Sequence, residues 1–425
     1  MKGKESQNFF FRFPMMVLHL MKVSPHGRFA VFADSLRYLT HFLLWRISLG
    51  IVRPLNFLRE SSFSNVNRRW ICRLLVGKYF IGTEMPVNLK NQDYRRFEKN
   101  FYLLKPLSIL HLKDHWIYLT GYHGITFKNF RILPESIHGK WDIRNVVLLK
   151  EYYPLVMNAW MYAYQEKDCG FTELNDDRNY LLAHHWFNYY HWLTETVLRL
   201  WVAKEKGEKY VILLPLSFKS IQFVQQSLEA LDLADVQYVK EGILRVKNLT
   251  LVENKPYCNH YFPSLSKQIG TFFSEYVKDK KVRIPDIGDR IFISREKADR
   301  RKLVNENEVV QALSAYQFKS VAIEDLDFFQ EVAILSKSKY LIGMHGAGLT
   351  NMMFMPQGSR VLELHREVYS YSDLHSDVYW KLASALGHKY YYQFCEPANK
   401  KEDFFTADYH VDLKKLKANV ELLLK

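Results

Sequence analysis

A histidine and a glutamate lie four residues apart within the stretch HHWFNYYHWLTE, whose side chains suit proton transfer. On one helix, His191 and Glu195 share a face, where a carboxylate can orient an imidazole or accept its proton. Histidine is the side chain most easily tuned to a pKa near neutrality, so His191 is the leading candidate for a general base. Glu195 is its orienting partner or replacement, and His185 and His345 are alternates. The alternative interpretation is an aromatic core helix in which Glu195 pairs with Arg199.

Two glycines one residue apart follow a predicted buried strand in the stretch KYLIGMHGAGLTN. Gly346 and Gly348 would let backbone amides approach a phosphate, and a short helix from Leu349 would point its positive end there. Glu363 comes near the end of the next predicted strand, in position to accept hydrogen bonds from a ribose. The alternative interpretation is a tight turn whose glycines serve backbone angles alone.

A basic loop, ISREKADRRKLVNE, follows an earlier predicted strand. Arg295 ends that strand and Arg301 precedes the next predicted helix, so both are expected at the same edge as the glycines. Guanidinium groups bind pyrophosphate oxygens bidentately, which an isolated lysine cannot do. The alternative is a solvated basic loop, because Lys297, Arg300 and Lys302 are also present.

The elements that must position these residues are clearest after residue 290. Predicted strands at 290–294, 339–344 and 360–364 alternate with helices, one of which covers 305–316 and begins with an Asn305–Glu308 capping-box spacing. Strands that alternate with helices imply parallel pairing, so this half is predicted to be a Rossmann-like domain.

The first half of the chain is less regular. A helix is predicted from Asn188, which is a suitable N-cap, and short strands are predicted at 236–239, 243–246 and 248–252. The charged stretch 277–290 lacks apolar periodicity and is the predicted domain linker.

The net charge of +14 is concentrated at the start of the chain. Residues 1–80 hold thirteen Lys or Arg and three Asp or Glu, interleaved with bulky apolar residues. This pattern favours an amphipathic segment on an anionic membrane surface; the alternative is a helical prefix packed on the main body. No uncharged run reaches the roughly 20 apolar residues of a membrane span, and no secretory cleavage pattern is present. Nucleic acid is not an expected partner, because no nucleic-acid motif accompanies the charge.

The four cysteines form no CxxC pair, so neither a zinc knuckle nor a disulfide framework is expected, and a reducing compartment fits best. Together with the basic prefix, this predicts a cytoplasmic protein on the inner face of the plasma membrane.

Taken together, these stretches resemble glycosyltransferase family 61, over about residues 180–366. The matching positions are Asn188, His191, Trp192, Glu195, Arg295, Arg301, Asn305, Glu306, the run from His345 to Asn351, and Glu363. The resemblance implies an α/β, GT-B fold, in which two Rossmann-like domains face across a cleft, and inversion at the anomeric carbon. The expected domains are a basic helical extension (1–85), an acceptor domain (86–278), a nucleotide-sugar-binding domain (279–400) and a C-terminal helix (401–425).

The resemblance implies that Arg295, Arg301 and the run from Gly346 to Gly348 hold the donor diphosphate, with Glu363 on the ribose, and the reading of the residues adds the candidates for the base. The catalytic candidates are His191, Glu195 and His185, and the donor-binding candidates are Arg295, Arg301, Asn305, Glu306, His345, Gly346, Ala347, Gly348, Leu349, Asn351 and Glu363. An inverting displacement needs one base and a diphosphate clamp, so no metal or other cofactor is expected. Asp325 and Asp327 form a D-x-D, but they open a predicted helix, where aspartate is a typical cap.

The predicted function is transfer of a sugar from a nucleotide sugar, typically UDP-linked, to a hydroxyl of a glycan or lipid-linked glycan. The expected context is bacterial capsule, lipopolysaccharide or exopolysaccharide assembly. An inactive nucleotide-binding scaffold of a membrane-surface complex is the alternative. A nicotinamide-dependent oxidoreductase is disfavoured, because no G-x-G-x-x-G follows the first strand of the second domain.

Overall fold

The computed structural model describes most of the chain from Tyr79 to Lys425. The described residues are 79–104, 107–121, 124–128, 131–136, 172–183, 186, 188–233, 235–254, 258–366, 377–399 and 406–425. All lie in the unit formed by Ile71–Lys140 and Lys167–Lys425. His185 and all but the last two residues of the basic segment 1–80 lie outside the described residues. Within the described parts, no helix has the length and apolarity that crossing a membrane requires.

The first large sheet is mixed, and only part of it has the predicted Rossmann-like pairing. It follows a small antiparallel pair, β1 (Tyr79–Gly82) and β2 (Phe101–Leu104). The strands of the sheet are β3 (Ile109–Leu119), β4 (Gly124–Lys128), β5 (Arg131–Ile132), β6 (Thr172–Leu174), β7 (Tyr180–Leu182), β8 (Val211–Pro215), β9 (Val236–Val239) and β10 (Gly242–Val252). Their order is β5-β4-β3-β10-β7-β8-β9, with β6 also paired to β10. Strands β7 to β10 pair in parallel, whereas β3, β4 and β5 are antiparallel.

The second sheet confirms the predicted alternation of strands and helices. Its strands are β11 (Arg290–Ile293), β12 (Lys319–Val321), β13 (Tyr340–Met344), β14 (Arg360–Arg366), β15 (Lys389–Pro397) and β16 (Tyr409–His410), in the order β12-β11-β13-β14-β15-β16. The first five of these pair in parallel, and β16 is antiparallel to β15. The GT-B arrangement of two domains across a cleft stays a prediction.

Helices cover both sheets. The α-helices are α1 (Tyr189–His191), α2 (Val197–Glu205), α3 (Gln222–Ala230), α4 (Pro263–Asp279), α5 (Glu306–Ser314), α6 (Phe328–Leu335), α7 (Val378–Leu386) and α8 (Leu413–Leu424). A π-helical turn, Trp192–Thr196, joins α1 to α2. The 3-10 helices are Asn91–Arg96, Pro134–Ser136, Leu216–Ser220, Ile323–Asp325 and Ala347–Phe354.

Three predicted helix ends are confirmed. The Asn188 side chain accepts a hydrogen bond from the backbone N–H of Tyr190, as an N-cap does. Gly387 ends α7 in the left-handed conformation, with φ of 81°. Asp327 caps α6 in a capping box with Gln330, so this carboxylate of the D-x-D serves the helix as predicted.

The predicted capping box at Asn305 is wrong. The Asn305 side chain makes no capping hydrogen bond; its Nδ2 donates to the carbonyl of Val411 at 2.9 Å and its Oδ1 accepts from the Val411 N–H at 3.0 Å. A buried amide bonded at both ends in this way joins α5 to the segment before α8. Asn305 therefore serves the packing of the chain end rather than the start of its own helix.

Both ends of the described chain dock on the second sheet. The apolar face of α8, with Leu416, Val420 and Leu423, is buried in the core beside β14, which confirms the predicted docking of the last helix. At the other end, the Asn88 side chain bonds to both backbone groups of Tyr392. Residues 79–104, most of which the sequence assigned to the first domain, are therefore bonded to β15 of the second sheet.

Helix α4 passes very close to the 3-10 helix Ala347–Phe354 at Gly270. A Cβ atom on Gly270 would lie 1.9 Å from the carbonyl oxygen of Met353, a distance that nonbonded atoms do not adopt. Glycine costs a helix interior about 0.5–1 kcal/mol relative to alanine, and the close packing of two backbones explains its presence here.

Gly270→Ala is expected to lower the free energy of unfolding by about 1–3 kcal/mol, because α4 must move away from Met353. Chemical denaturation followed by circular dichroism measures this change. Gln268→Ala, on the exposed side of the same helix, is the control and should stay within about 0.5 kcal/mol of wild type. An unchanged midpoint for Gly270→Ala would contradict the close approach.

Candidate active site

The predicted histidine–glutamate pair forms at the junction of α1 and the π-helical turn. His191 Nδ1 and Glu195 Oε1 are 2.9 Å apart, and both side chains are buried. The π-helical turn Trp192–Thr196 contains Glu195, and such turns occur frequently at functional sites. Trp186 stacks on the imidazole, with ring centroids 4.5 Å apart and planes 19° apart.

Arg199 completes this cluster from one turn further along. Its Nη2 lies 3.9 Å from Glu195 Oε2, and its Nη1 donates to the carbonyl of Ala183 at 2.9 Å. Burial lowers the pKa of Arg199 to about 10. Glu195 therefore contacts both Arg199 and His191, so its carboxylate lies between a guanidinium and an imidazole.

The bond to Glu195 determines which nitrogen of His191 can act as a base. A carboxylate only accepts hydrogen bonds, so Nδ1 carries the proton that it donates to Glu195. The other nitrogen, Nε2, is then the atom that can accept a proton from a hydroxyl. This arrangement suits general-base chemistry.

Arg295 links the basic loop to the glycine turn. Its guanidinium donates to the carbonyls of Arg300, at 2.6 Å, and Arg301, at 3.4 Å. A Cβ atom on Gly346 would lie 3.5 Å from Arg295 Nη1, so the guanidinium lies directly against the glycine. Glu306 holds this loop to α5, because its carboxylate accepts from the backbone N–H of Arg295 at 2.9 Å. Arg295 thus reaches the turn as predicted, whereas Glu306 orients the loop.

Arg301 lies beside Arg295 and has unused hydrogen-bonding capacity. Its Nη1 donates to the carbonyl of His345 at 3.2 Å, and its Nε has no hydrogen-bond partner among the described residues. Burial, and then the neighbouring positive charge of Arg295, lower the pKa of Arg301 to about 10. Two half-buried guanidinium groups side by side are stabilised by an anion that bridges them.

The glycines of the turn are partly explained by packing. Gly346 has an extended backbone, with φ of 168°, and the 3-10 helix begins at Ala347, two residues before the predicted start. A Cβ atom on Gly348 would lie 3.2 Å from Cγ2 of Ile293 in β11. Close approach of the turn to the sheet therefore accounts for Gly348, whereas the alternative interpretation of backbone angles does not, because neither glycine has a φ in the left-handed region.

Both carboxylate oxygens of Glu363 form hydrogen bonds within the protein. It is fully buried; one of its oxygens accepts from His345 Nδ1 and the other accepts from the hydroxyl of Tyr390 at 2.6 Å. Burial lowers the pKa of His345 to about 4. The predicted contact of Glu363 with a ribose stays a prediction that these bonds do not support.

Asn351 and Leu349 also lie in the core rather than facing the turn. Leu349 packs in the largest hydrophobic cluster. The Oδ1 of Asn351 accepts from the hydroxyl of Tyr189 at 2.5 Å, and its Nδ2 donates to Glu331 at 2.8 Å. Asn351 therefore fastens α1 and α6 to the glycine turn, and any effect that it has on donor binding is indirect.

The buried Glu331 makes the stability of the folded protein depend on pH. Burial raises its pKa from 4.5 to about 7, so the folded protein keeps a proton that the unfolded chain loses. Below about pH 4.5 both states are protonated. As the pH rises from about 4.5 to about 7, the unfolded chain ionises while the folded protein does not, so the folded state becomes less stable relative to the unfolded state, and this loss is complete once the pH has passed 7.

Glu331→Gln removes this ionisation and keeps the shape of the side chain. The variant is expected to exceed wild type in free energy of unfolding by about 1–3 kcal/mol at pH 8, and to match it near pH 4.5. Urea denaturation at both pH values measures the difference. Glu308→Gln, at an exposed position of α5, is the control. A difference that is equal at the two pH values would contradict the raised pKa.

Tyr379 is a site residue that the motifs do not contain. Its ring centroid lies 6.0 Å from that of Tyr190, the residue next to His191, and 5.2 Å from that of His345. Its hydroxyl also interacts electrostatically with Arg295 and Arg301. Tyr379 therefore lies between the proposed base and the arginines. Nothing in its local sequence distinguishes it from the other apolar residues of α7, so only the fold identifies it.

Among the described residues, two clusters have the donor atoms that a metal ion would need. His191, Glu195 and Cys258 offer ligand atoms within 4.8 Å of one another, and so do His345, Glu363 and His365. In each cluster the carboxylate is already bonded to an imidazole, and burial raises the pKa of the Cys258 thiol, which disfavours the thiolate that metals bind. The expectation of a metal-independent site stays a prediction.

A family model covers the segment that holds these groups. Residues 189–362 match the model described as Glycosyltransferase 61, which includes His191, Arg301 and the glycine turn. This match confirms the family resemblance over that segment. In class, this segment is similar to glycosyltransferases.

Curated proteins from animals are similar to part of the chain. The relatives from Gallus gallus, Drosophila melanogaster and Xenopus laevis are each named EGF domain-specific O-linked N-acetylglucosamine transferase. The chicken protein is 37% identical over 93 residues, which are 21% of this chain and 16% of that protein. The fly protein is 33% identical over 99 residues, 22% of this chain and 19% of that protein. The frog protein is 38% identical over 81 residues, 18% of this chain and 15% of that protein. The aligned part thus spans less than a fifth of each relative.

Proposed function

We propose that this chain is an inverting glycosyltransferase that moves a sugar from a nucleotide sugar to an acceptor hydroxyl. The observation that supports it most is the pair of adjacent guanidinium groups at the glycine turn, where Arg301 Nε has no partner in the part of the chain that the structure describes. A nucleoside diphosphate offers the bridging oxygens that this pair lacks. Tyr379 brings the turn close to the helix that carries His191.

The proposed reaction is a single displacement. The acceptor oxygen attacks the anomeric carbon, and its proton passes to Nε2 of His191, whose other nitrogen is held by Glu195. The bond from the anomeric carbon to the diphosphate breaks, and its electron pair leaves with the phosphate oxygen. Arg295 and Arg301 offset the negative charge that develops on this leaving group.

The acceptor and the cellular context rest on the sequence. We propose a hydroxyl of a glycan in cell-surface polysaccharide, reached at an anionic membrane surface through residues 1–80 on the cytoplasmic side. The three relatives are animal proteins, so they do not support a bacterial source, and their names point to N-acetylglucosamine as the sugar and to a protein acceptor. N-acetylglucosamine is therefore the first sugar to test.

Calorimetric titration of UDP, GDP and CMP into the full-length protein, with EDTA present, tests the proposal first. Binding of one nucleotide is expected, and the matching nucleotide sugar is then supplied with either a lipid-linked glycan or a folded EGF-type domain. Transfer to the glycan supports the proposed acceptor, and transfer to the EGF-type domain replaces it. Nucleotide binding without transfer or slow donor hydrolysis would favour the inactive scaffold, and absence of nucleotide binding would overturn the proposal.

A further inference from the structure

A cavity lies at the opposite edge of the second sheet from the arginines. It has a volume of about 560 Å³ and is lined by one face of α4 and by the turns that precede β13, β14 and β15. Those three strands are parallel, so their amino ends share one edge. Arg295 and Gly346 follow the carboxyl ends of β11 and β13, at the other edge. The cavity is therefore separate from the proposed donor site.

The floor of the cavity is apolar and firmly built. Val277, Met353, Phe354 and Leu386 line it, and all four are buried core residues. Gly270 also lines it, at the point where α4 meets the backbone of Met353. Because that contact allows no additional atom, the floor keeps its shape, and an apolar group placed on it would be shielded from water.

The mouth of the cavity carries an excess of positive charge. Four exposed lysines line it, with one acidic residue, Glu275, among them: Lys267, Lys278, Lys281 and Lys337. No ion pair within the described residues involves any of these four lysines. Lys267 Nζ and Gln357 Nε2 converge on Gly387, where a Cβ atom would lie 3.5 and 3.6 Å from them. Such a mouth attracts an anionic group.

His388 lines the cavity, and one nitrogen of its ring has no hydrogen-bond partner in the described part of the chain. Its ring is only 2% exposed, and its Nε2 lies 2.9 Å from the carbonyl of Met352. A carbonyl only accepts, so Nε2 carries the proton and Nδ1 is an acceptor, and this Nδ1 has no hydrogen-bond partner among the described residues. Burial, with a smaller effect from Lys267, lowers the pKa of His388 to about 4, so the ring is neutral. A buried acceptor of this kind is normally matched by a donor from water or a ligand.

We propose that this cavity binds a small anionic amphiphile, an aliphatic phosphate ester that also carries a hydroxyl or N–H donor. Its phosphate lies among the lysines at the mouth, its aliphatic part covers the floor of Val277, Met353 and Phe354, and its donor reaches His388 Nδ1. A phospholipid headgroup region and a soluble phosphate ester share this chemistry. The proposal does not depend on the transferase activity.

The test is calorimetric titration of octyl phosphate, octyl glucoside and inorganic phosphate into the full-length protein. Octyl phosphate is expected to bind at least about tenfold more tightly than either of the others, because only it has both a charge and a chain. The titrations are repeated in Arg301→Ala, which removes phosphate binding at the donor site and should leave the binding of octyl phosphate unchanged. Binding that disappears in Arg301→Ala, or equal binding of octyl glucoside, would overturn the proposal.

Paired lysine variants locate the binding. Lys267→Gln combined with Lys337→Gln is expected to weaken octyl phosphate about tenfold. Lys414→Gln combined with Lys417→Gln makes the same charge change on exposed positions of α8 and should have no effect. Thermal unfolding of both variants checks that they fold. If both double variants weaken octyl phosphate binding equally, the binding is a general attraction to a basic protein, and the proposed site is wrong.

Two further probes test whether the ligand donates a hydrogen bond to His388 and where the ligand comes from. A glycerol-based octyl phosphate, which adds hydroxyl groups, is expected to bind more tightly than octyl phosphate, and equal binding would overturn the proposed ligand class. Vesicles of phosphatidylglycerol are compared with vesicles of phosphatidylcholine, for wild type and for the Lys267 and Lys337 double variant. A loss of vesicle binding in the variant assigns the ligand to the membrane, and an unchanged vesicle affinity assigns it to a soluble phosphate ester.

Discussion

Replacing His191 with glutamine is expected to lower kcat for sugar transfer by about 10²–10⁴-fold, the usual contribution of a general base. Glutamine keeps the polarity and approximate length of the side chain but cannot accept the proton of the attacking hydroxyl. The Kd of the nucleotide should be unchanged, because the arginines that are proposed to hold the diphosphate lie on another segment of the chain. Loss of rate without loss of nucleotide affinity is thus the expected signature.

Initial rates at saturating donor, together with titration of the nucleotide, measure the two parts of this prediction. His111→Gln, the same change at an exposed histidine of β3, is the matched control and should retain wild-type rates. Because His191 and Glu195 are hydrogen-bonded to each other, the same assay also tests whether Glu195 is the base instead. If Glu195→Gln removes the activity while His191→Gln keeps it within about twofold, the glutamate is the base and the histidine only positions it.

The order of elements in the second half of the chain could be predicted because its signals are local. Short apolar runs predict β11, β13 and β14, and the residues that end or begin helices lie within a few positions of them. Asp327 and Gly387 act on the backbone next to them, so their roles follow from sequence alone. The same applies to His191 and Glu195, which one helical turn brings together.

The prediction failed where a residue meets a partner far away in the chain. Asn305 has the residue type and spacing of a cap, but a backbone segment 106 residues later takes both of its amide groups. The sequence predicts two strands, 243–246 and 248–252, where the structure has the single strand 242–252; exposed Lys247 lies at the predicted break, where the register with β3 skips one position and then resumes. Neither outcome is encoded in a local window of sequence.

The site shows the same limit. Glu363 has the right place for a ribose contact by strand order, yet His345 and Tyr390 take both of its oxygens. Tyr390 comes from the neighbouring strand β15, and the register that aligns the two strands depends on the whole sheet. Tyr379 likewise becomes a site residue only because α7 packs between the two sets of motif residues.

Arg301→Ala is expected to raise the Kd of the bound nucleoside diphosphate by about 10²-fold, which corresponds to about 3 kcal/mol for the charge-assisted hydrogen bonds lost. The reason is geometric: Arg301 and Arg295 present adjacent guanidinium groups in a half-buried place, where water screens their charges less than at the surface. An anion that bridges them gains hydrogen bonds from both and relieves their mutual repulsion.

Arg301→Ala does not change the backbone strain of the loop. Arg301 has a φ of 57°, and this left-handed conformation is as unfavourable for arginine as for alanine, because both have a Cβ atom. Arg301→Lys separates charge from geometry and should recover only part of the affinity, because an ammonium cannot bind two phosphate oxygens in a planar fork. Arg245→Ala removes an exposed guanidinium from the first sheet and is the control for net charge.

The outcome for Arg301 decides how the glycine turn should be interpreted. Gly348 is explained by its approach to Ile293, so a glycine-rich turn at this edge of the sheet does not by itself imply a phosphate. The arginine has no such explanation, because its Nε has no hydrogen-bond partner among the described residues and its guanidinium donates to one described carbonyl, that of His345. An unchanged nucleotide Kd in Arg301→Ala would therefore mean that the turn serves packing and that the donor binds elsewhere, whereas a selective loss would assign the diphosphate to this pair of arginines.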